Sequence, residues 1–156
     1  PRNVGRLWGI LTAPFLHANF APHLLDNTIP LVFLGVIIAL RGAARLAAVT
    51  LIVIVLGGFG TWLIAPSGSV TIGASGVVFG YATYLFARGF FDRSMLELLV
   101  GIVVGAIWGG ALLVSLVPHT GISWQGHLSG AIAGVIAAYA LRRERVARRP
   151  IGAVAK

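Results

Sequence analysis

The chain has no cysteine, one methionine, four acidic residues and few charges of either sign, 10% of its 156 residues. Without cysteine there can be no disulfide, no thiolate metal site and no cysteine nucleophile. The four histidines and four acids never fall into HExxH or another metal-ligating spacing, so a metal enzyme is not expected. A soluble domain carries roughly 25% charged residues. This chain is instead 58% hydrophobic with a mean hydropathy of +0.94, a composition suited to lipid. Its repeated apolar runs of about 20 residues indicate an all-α, polytopic membrane helix bundle rather than a barrel.

A net charge of +8 raises the question of nucleic acid. Ten of the twelve Lys/Arg, however, sit in three short connections or tails between apolar runs, and no soluble basic domain exists to bind a polynucleotide. The lipid bilayer is the partner that the composition implies.

Apolar runs between breakers predict five transmembrane helices over 22–40, 43–65, 75–91, 95–117 and 127–142. Three connections are basic: Arg41 to Arg45, Arg88 to Arg93, and Arg142 to Lys156. The other two, Pro66 to Ala74 and Pro118 to Gly126, carry no Lys or Arg. The positive-inside rule puts the basic segments in the cytoplasm and the neutral ones outside, and the two kinds alternate without conflict. The chain thus reads as a single membrane domain over 1–156. Residues 1–21 form an outer interfacial loop in which Trp8 is an aromatic anchor, 22–142 the bundle, and 143–156 a basic cytoplasmic tail. The first residue is Pro1, and no signal peptide precedes the first span, which suggests a fragment of something longer.

Three polar signatures interrupt the oily chain at the outer ends of three helices: His23-x-x-x-Asn27, Gly73-Ala74-Ser75-Gly76 and Gly126-His127-Leu128-Ser129-Gly130. Asn27, Ser75 and His127 precede Arg41, Arg88 and Arg142 by 14, 13 and 15 residues. At 1.5 Å per residue each lies about 20–22 Å above the inner rim. In a hydrocarbon layer about 30 Å thick, that is a common depth about 10 Å below the outer surface.

Each signature has a bland reading and a chemical one. Ser75, one of seven serines, stands at a turn from a Gly/Ser loop into a helix, where a hydroxyl is exposed and backbone N–H groups are free for an oxyanion. Small residues such as Gly76 and Gly80 more often serve close helix packing. His127 alters the balance, because an ionisable residue inside a membrane is costly and defaults to function, although taken by itself it reads first as a histidine hydrogen-bonded for structure alone. Gly130 and Gly134 form a G-x-x-x-G matching Gly76 and Gly80, so two small faces would bring hydroxyl and imidazole within reach. His119, beside Pro118 in the outer loop, is the weaker base. Asp92, Glu97 and Glu144 fall at the inner rim and Asp26 points away from Asn27, which leaves a Ser–His dyad. Phe79, one turn after Ser75, is placed to stack on His127. His23 and Asn27 share a helix face and can donate to an oxyanion, or act as interhelical polar glue. His17 and Asn19 read as loop-ordering groups.

The ordered set Leu16-His17-Ala18-Asn19, His23-Leu24-Leu25-Asp26-Asn27, Gly73-Ala74-Ser75-Gly76 and His127 with Gly130 and Gly134 resembles the rhomboid intramembrane serine proteases over essentially the whole chain. The resemblance implies Ser75 as nucleophile, His127 as general base, and His23, Asn27 and the Ser75 N–H as oxyanion hole. It also implies transmembrane proteins as substrates, cut near their outer ends without metal or cofactor. The Ala/Gly/Arg-rich composition and multi-span core suggest a bacterial plasma membrane, with a eukaryotic organelle as the alternative. Two departures stand out. The family core has six spans, and the first is missing here. The Trp-Arg pair common in the family's first loop is replaced by Trp8-Gly9, with Arg6 before it. At Phe79 the family often has tyrosine. Rival readings are an inactive relative that binds membrane clients and, less favoured, a transporter or channel.

Overall fold

The computed structural model describes residues 1–16, 22–118 and 121–142, without the side chains of 22–26, 111 and 112. His17, Asn19, His119 and Glu144 therefore lie outside the described residues, as do the side chains of His23 and Asp26.

Five long helices dominate: α1 (Pro22–Ala39), α2 (Ala43–Ile64), α3 (Ser75–Asp92), α4 (Met95–Val114) and α5 (Trp124–Ala140). The chain is all-helical in class. α2 passes through a π-helical stretch, Val53–Gly57. Before α1, short helical turns at Val4–Arg6, Gly9–Thr12 and Ala13–Phe15 leave Trp8, Leu11 and Phe15 exposed. By length and composition, α2 is the one helix among the described residues suited to cross a membrane; Asn27–Ala39 and Met95–Gly110 are shorter apolar stretches.

The helix boundaries have local causes. Gly42, at φ +108°, turns the chain between α1 and α2 in a conformation that a side chain would resist. Arg93 ends α3 in the left-handed region. Two ends differ from the sequence reading. α4 stops at Val114 rather than near 117: the Leu116 and Val117 amides turn back only three residues, to the Leu113 and Val114 carbonyls, and Pro118 disfavours helix at Val117. α5 starts three residues early because the Ser123 hydroxyl accepts from the Gly126 N–H at 3.2 Å, a helix cap.

α3 is the central helix, buried from Val77 through Ala82 and again at Tyr84, Leu85 and Ala87–Gly89. It packs against α1, α2, α4 and α5. The distribution of residue sizes is the reverse of a soluble protein. Glycine and alanine, with Ser129 and His127, fill the α5 interior, while Ile132, Val135, Ile136 and Tyr139 face outward. Ile29, Val32, Phe33 and Val36 of α1 are exposed likewise, as are Leu99, Ile102, Val103 and Ile107 of α4. Water would penalise so much apolar surface. Lipid does not, and in lipid close backbone packing of small residues holds helices together.

The seam between α3 and α5 shows this directly. A Cβ on Gly130 would overlap the Gly76 carbonyl, and one on Gly134 would overlap the Gly80 carbonyl and the Thr83 hydroxyl. From the other side, Gly57 and Gly60 of α2 face Gly130 and Ser129. Thr83 Oγ1 donates across the seam to the Ala131 carbonyl at 2.8 Å.

At the other end of α3, the acids and arginines that the sequence placed at a rim form a buried ionic cluster. Arg88 reaches Glu97 of α4 at 2.7 Å and Asp92 at 3.1 Å. Arg41, just past α1, pairs with the same Glu97 at 2.5 Å. Arg88 and Glu97 are each 5% exposed, so Arg88 is enclosed by protein rather than extended toward solvent. Arg45, at the start of α2, donates to the Leu141 carbonyl beyond α5.

Candidate active site

The GASG loop and the residues just before it are tied on two sides. The Gly73 N–H donates to the Ala13 carbonyl at 2.9 Å, tying the loop to the N-terminal turns. Gly73 itself takes φ +112°, a left-handed turn that leads the chain into α3. Thr71 and Ser123 hydroxyls meet at 3.4 Å, joining the loop to the start of α5.

Ser75 is therefore the first residue of α3, half-buried, with the orphan amides of a helix N-terminus beside it. The Val77 and Val78 amides already turn back to Ala74. Gly76 admits the first turn of α5, since a Cβ there would lie 3.2 Å from the Gly126 carbonyl.

Across this narrow seam stands His127, 7% exposed. Its Nε2 is 2.9 Å from Ser75 Oγ and its Nδ1 is 3.0 Å from the Ser115 main-chain carbonyl. Phe79 stacks on the imidazole with ring centroids 4.2 Å apart and planes 8° from parallel. The ring is thus fixed on its face by Phe79 and at both nitrogens. Ser75, His127, Phe79, Gly76, Gly130 and Gly134 are gathered at one place, and Gly73 sets the loop. Asn27 is half-buried in α1, and His23 lies one turn before it on the same helix. No group of three or more His, Cys, Asp or Glu able to hold a metal occurs among the described residues.

The residues that sequence reasoning missed are Ser123 and Ser115. Ser123 carried a signal, a serine three residues before Gly126 at a helix start. Ser115 acts through its backbone and carried none. An apolar cleft of about 330 Å³ between α1, α2 and α3 has little chemistry of its own. Its polar groups are Thr50 and Tyr81, and their hydroxyls bond each other at 2.5 Å.

A bundle of helices that carries apolar residues on its outside and small residues in its seams belongs to the class of all-helical membrane proteins. The Rhomboid domain model matches residues 4–144, and the chain belongs to the rhomboid family, a family of integral membrane proteins. Uncharacterised proteins of Mycobacterium tuberculosis and Mycobacterium bovis are each 47% identical over 157 residues, covering 95% of this chain and 65% of theirs. The chain thus spans about two thirds of the length of these relatives. YdcA of Bacillus subtilis, named as a candidate rhomboid protease, is 28% identical over 137 residues, covering 86% of this chain and 67% of its own.

Proposed function

We propose that the chain is an intramembrane serine endopeptidase that cleaves transmembrane segments of other proteins near their outer ends. The observation that carries this is the 2.9 Å contact between His127 Nε2 and Ser75 Oγ inside a lipid-facing bundle. All five helices cross the bilayer in this reading, with the active site opening outward and the carboxyl terminus in the cytoplasm. Supporting it, Arg41, Arg45, Arg88 and Arg142 follow or precede helix ends opposite to Ser75 and His127. α5, at 17 residues, spans about 26 Å at 1.5 Å per residue, close to the hydrocarbon thickness of about 30 Å.

In the cycle, His127 Nε2 takes the Ser75 proton as Oγ bonds to the scissile carbonyl carbon. The oxyanion is stabilised by the Ser75 N–H with Asn27 and His23. The amine leaves with the proton that His127 returns to it. Water then adds to the acyl-enzyme, and its proton follows the same route. A peptide must be extended to be attacked, whereas a helix in lipid resists unwinding because freed backbone groups lack partners. Substrates with Gly, Pro or polar residues near the cut are preferred for that reason.

The test is labelling by a fluorophosphonate serine probe together with cleavage of a reporter transmembrane segment in liposomes. Ser75→Ala and His127→Ala are expected to abolish both. Asn27→Ala is expected to lower cleavage by about 10²- to 10³-fold, the range for loss of one oxyanion donor. Labelling that survives Ser75→Ala removes the proposal. A folded chain that binds transmembrane segments without labelling is a client-binding relative.

A further inference from the structure

A neutral imidazole carries one ring proton, and its place decides whether the ring can act as a base toward a given partner. The Nδ1 of His127 lies 3.0 Å from the Ser115 carbonyl oxygen, which accepts and cannot donate. The proton therefore belongs on Nδ1, and the Nε2 lone pair faces the Ser75 hydroxyl. In Ser-His-Asp sites a carboxylate fixes this tautomer and stabilises the imidazolium. Here Asp92 and Glu97 are engaged by Arg88 at the far end of α3.

Ser115 immediately follows Val114, the last residue of α4. The final carbonyls of a helix have no intrahelical donor. The aligned peptides of a helix also put about half a negative charge at that end, which favours a nearby histidine cation.

We infer that the C-terminal end of α4, through the Ser115 carbonyl, takes the place of the third triad member. It is a positioning group that holds His127 as the Nδ1–H tautomer and offsets the positive charge formed when Nε2 receives the serine proton. The inference rests on the Ser75–His127 reading above. In the step, the Oγ–H bond breaks, an Nε2–H bond forms, and Nδ1–H remains on the carbonyl throughout.

The arrangement makes the base depend on where α4 sits. α4 is held to α3 at Gly89, where a Cβ would overlap Leu98, and at Gly101 against Phe86. It is also tied to α3 through Arg88 with Glu97, and to α1 and the turn after it through Phe33 against Trp108 at 5.4 Å and Arg41 with Glu97. Moving the outer end of α4 away would remove the acceptor from Nδ1 while leaving the α3–α5 seam intact.

Two backbone substitutions isolate the carbonyl. Introducing the α-hydroxy acid at Leu116 turns the 115–116 amide into an ester, whose carbonyl is a poor acceptor, and deletes the Leu116 N–H bond to Leu113. The same change at Val117 deletes the neighbouring Val117 N–H bond to Val114 but leaves the Ser115 carbonyl an amide. The 116 ester is expected to slow fluorophosphonate labelling about tenfold, less than the roughly 10⁴-fold loss that a wrong tautomer causes in a triad. The 117 ester is expected to stay within about twofold, as a backbone bond worth about 1 kcal/mol remote from the ring should. Nitrogen-15 spectra of the neutral ring should show a protonated Nδ1 and a bare Nε2 in the unaltered chain, with mixed tautomers in the 116 ester.

A protonated Nε2 in the unaltered chain overturns the inference, as does a 116 ester that labels at the unaltered rate. Either can occur while labelling still needs Ser75 and His127, so the dyad reading survives that failure. Labelling that does not need them overturns both.

Discussion

Gly130→Ala is expected to lose about 3 kcal/mol or more of stability, the upper part of the range for overpacking a filled interior. The added methyl would overlap the Gly76 carbonyl, which is backbone and cannot swing aside. It also lies close to Gly57 on the opposite face, so α5 cannot retreat toward α2. Ser75 and His127 belong to the two helices thus forced apart, and a shift near 1 Å in a reacting geometry lowers rate by about 100-fold. Denaturant-titrated unfolding in detergent, run beside fluorophosphonate labelling, reads both effects. Gly109→Ala is the control. Its Cβ meets nothing within 4 Å, so helix propensity favours it by up to about 1 kcal/mol. If Gly130→Ala matches Gly109→Ala in both measurements, the α3–α5 seam is not closed as described.

Arg88→Met is expected to cost about 3–5 kcal/mol, the range for removing one partner of a buried ion pair. Its loss leaves Glu97 with Arg41 alone and takes from Asp92 the guanidinium at 3.1 Å. Glu97→Gln should cost less, because Arg88 keeps Asp92 and Arg41 is 32% exposed at its side chain. The double variant should lose less than the two single losses summed, by at least about 1 kcal/mol, as coupled neighbours do. Strict additivity in unfolding measurements would show that the two side chains do not interact. Because the cluster lies at the opposite end of α3 from Ser75, labelling of the surviving folded fraction should be unchanged.

The helices were legible because each apolar run is bounded by residues with one local meaning, such as Gly42, Pro66 or Pro118. The ends of α4 and the start of α5 were less so, since Ser115-Leu116-Val117 is apolar enough to continue a helix and only the following proline and the Ser123 cap stop it. The pairing of Ser75 with His127 rested on matched glycine spacings, a pattern that backbone geometry makes readable. The Arg41–Glu97–Arg88 cluster was not legible, because three charges near helix ends look alike whether they face solvent or one another. A backbone carbonyl as partner to a ring nitrogen leaves no residue type to notice at all.

The π-helical stretch Val53–Gly57 bears on how this chain is to be aligned with others. Each such turn accommodates one residue more than an α-helix does over the same rise. Gly57 and Gly60, which face Gly130 and Ser129, lie at and beyond it. A relative whose second helix is plain α throughout would present the equivalent glycines one position earlier in its sequence. Gap placement within 53–57, rather than in the flanking loops, is what keeps structurally matching residues in the same column.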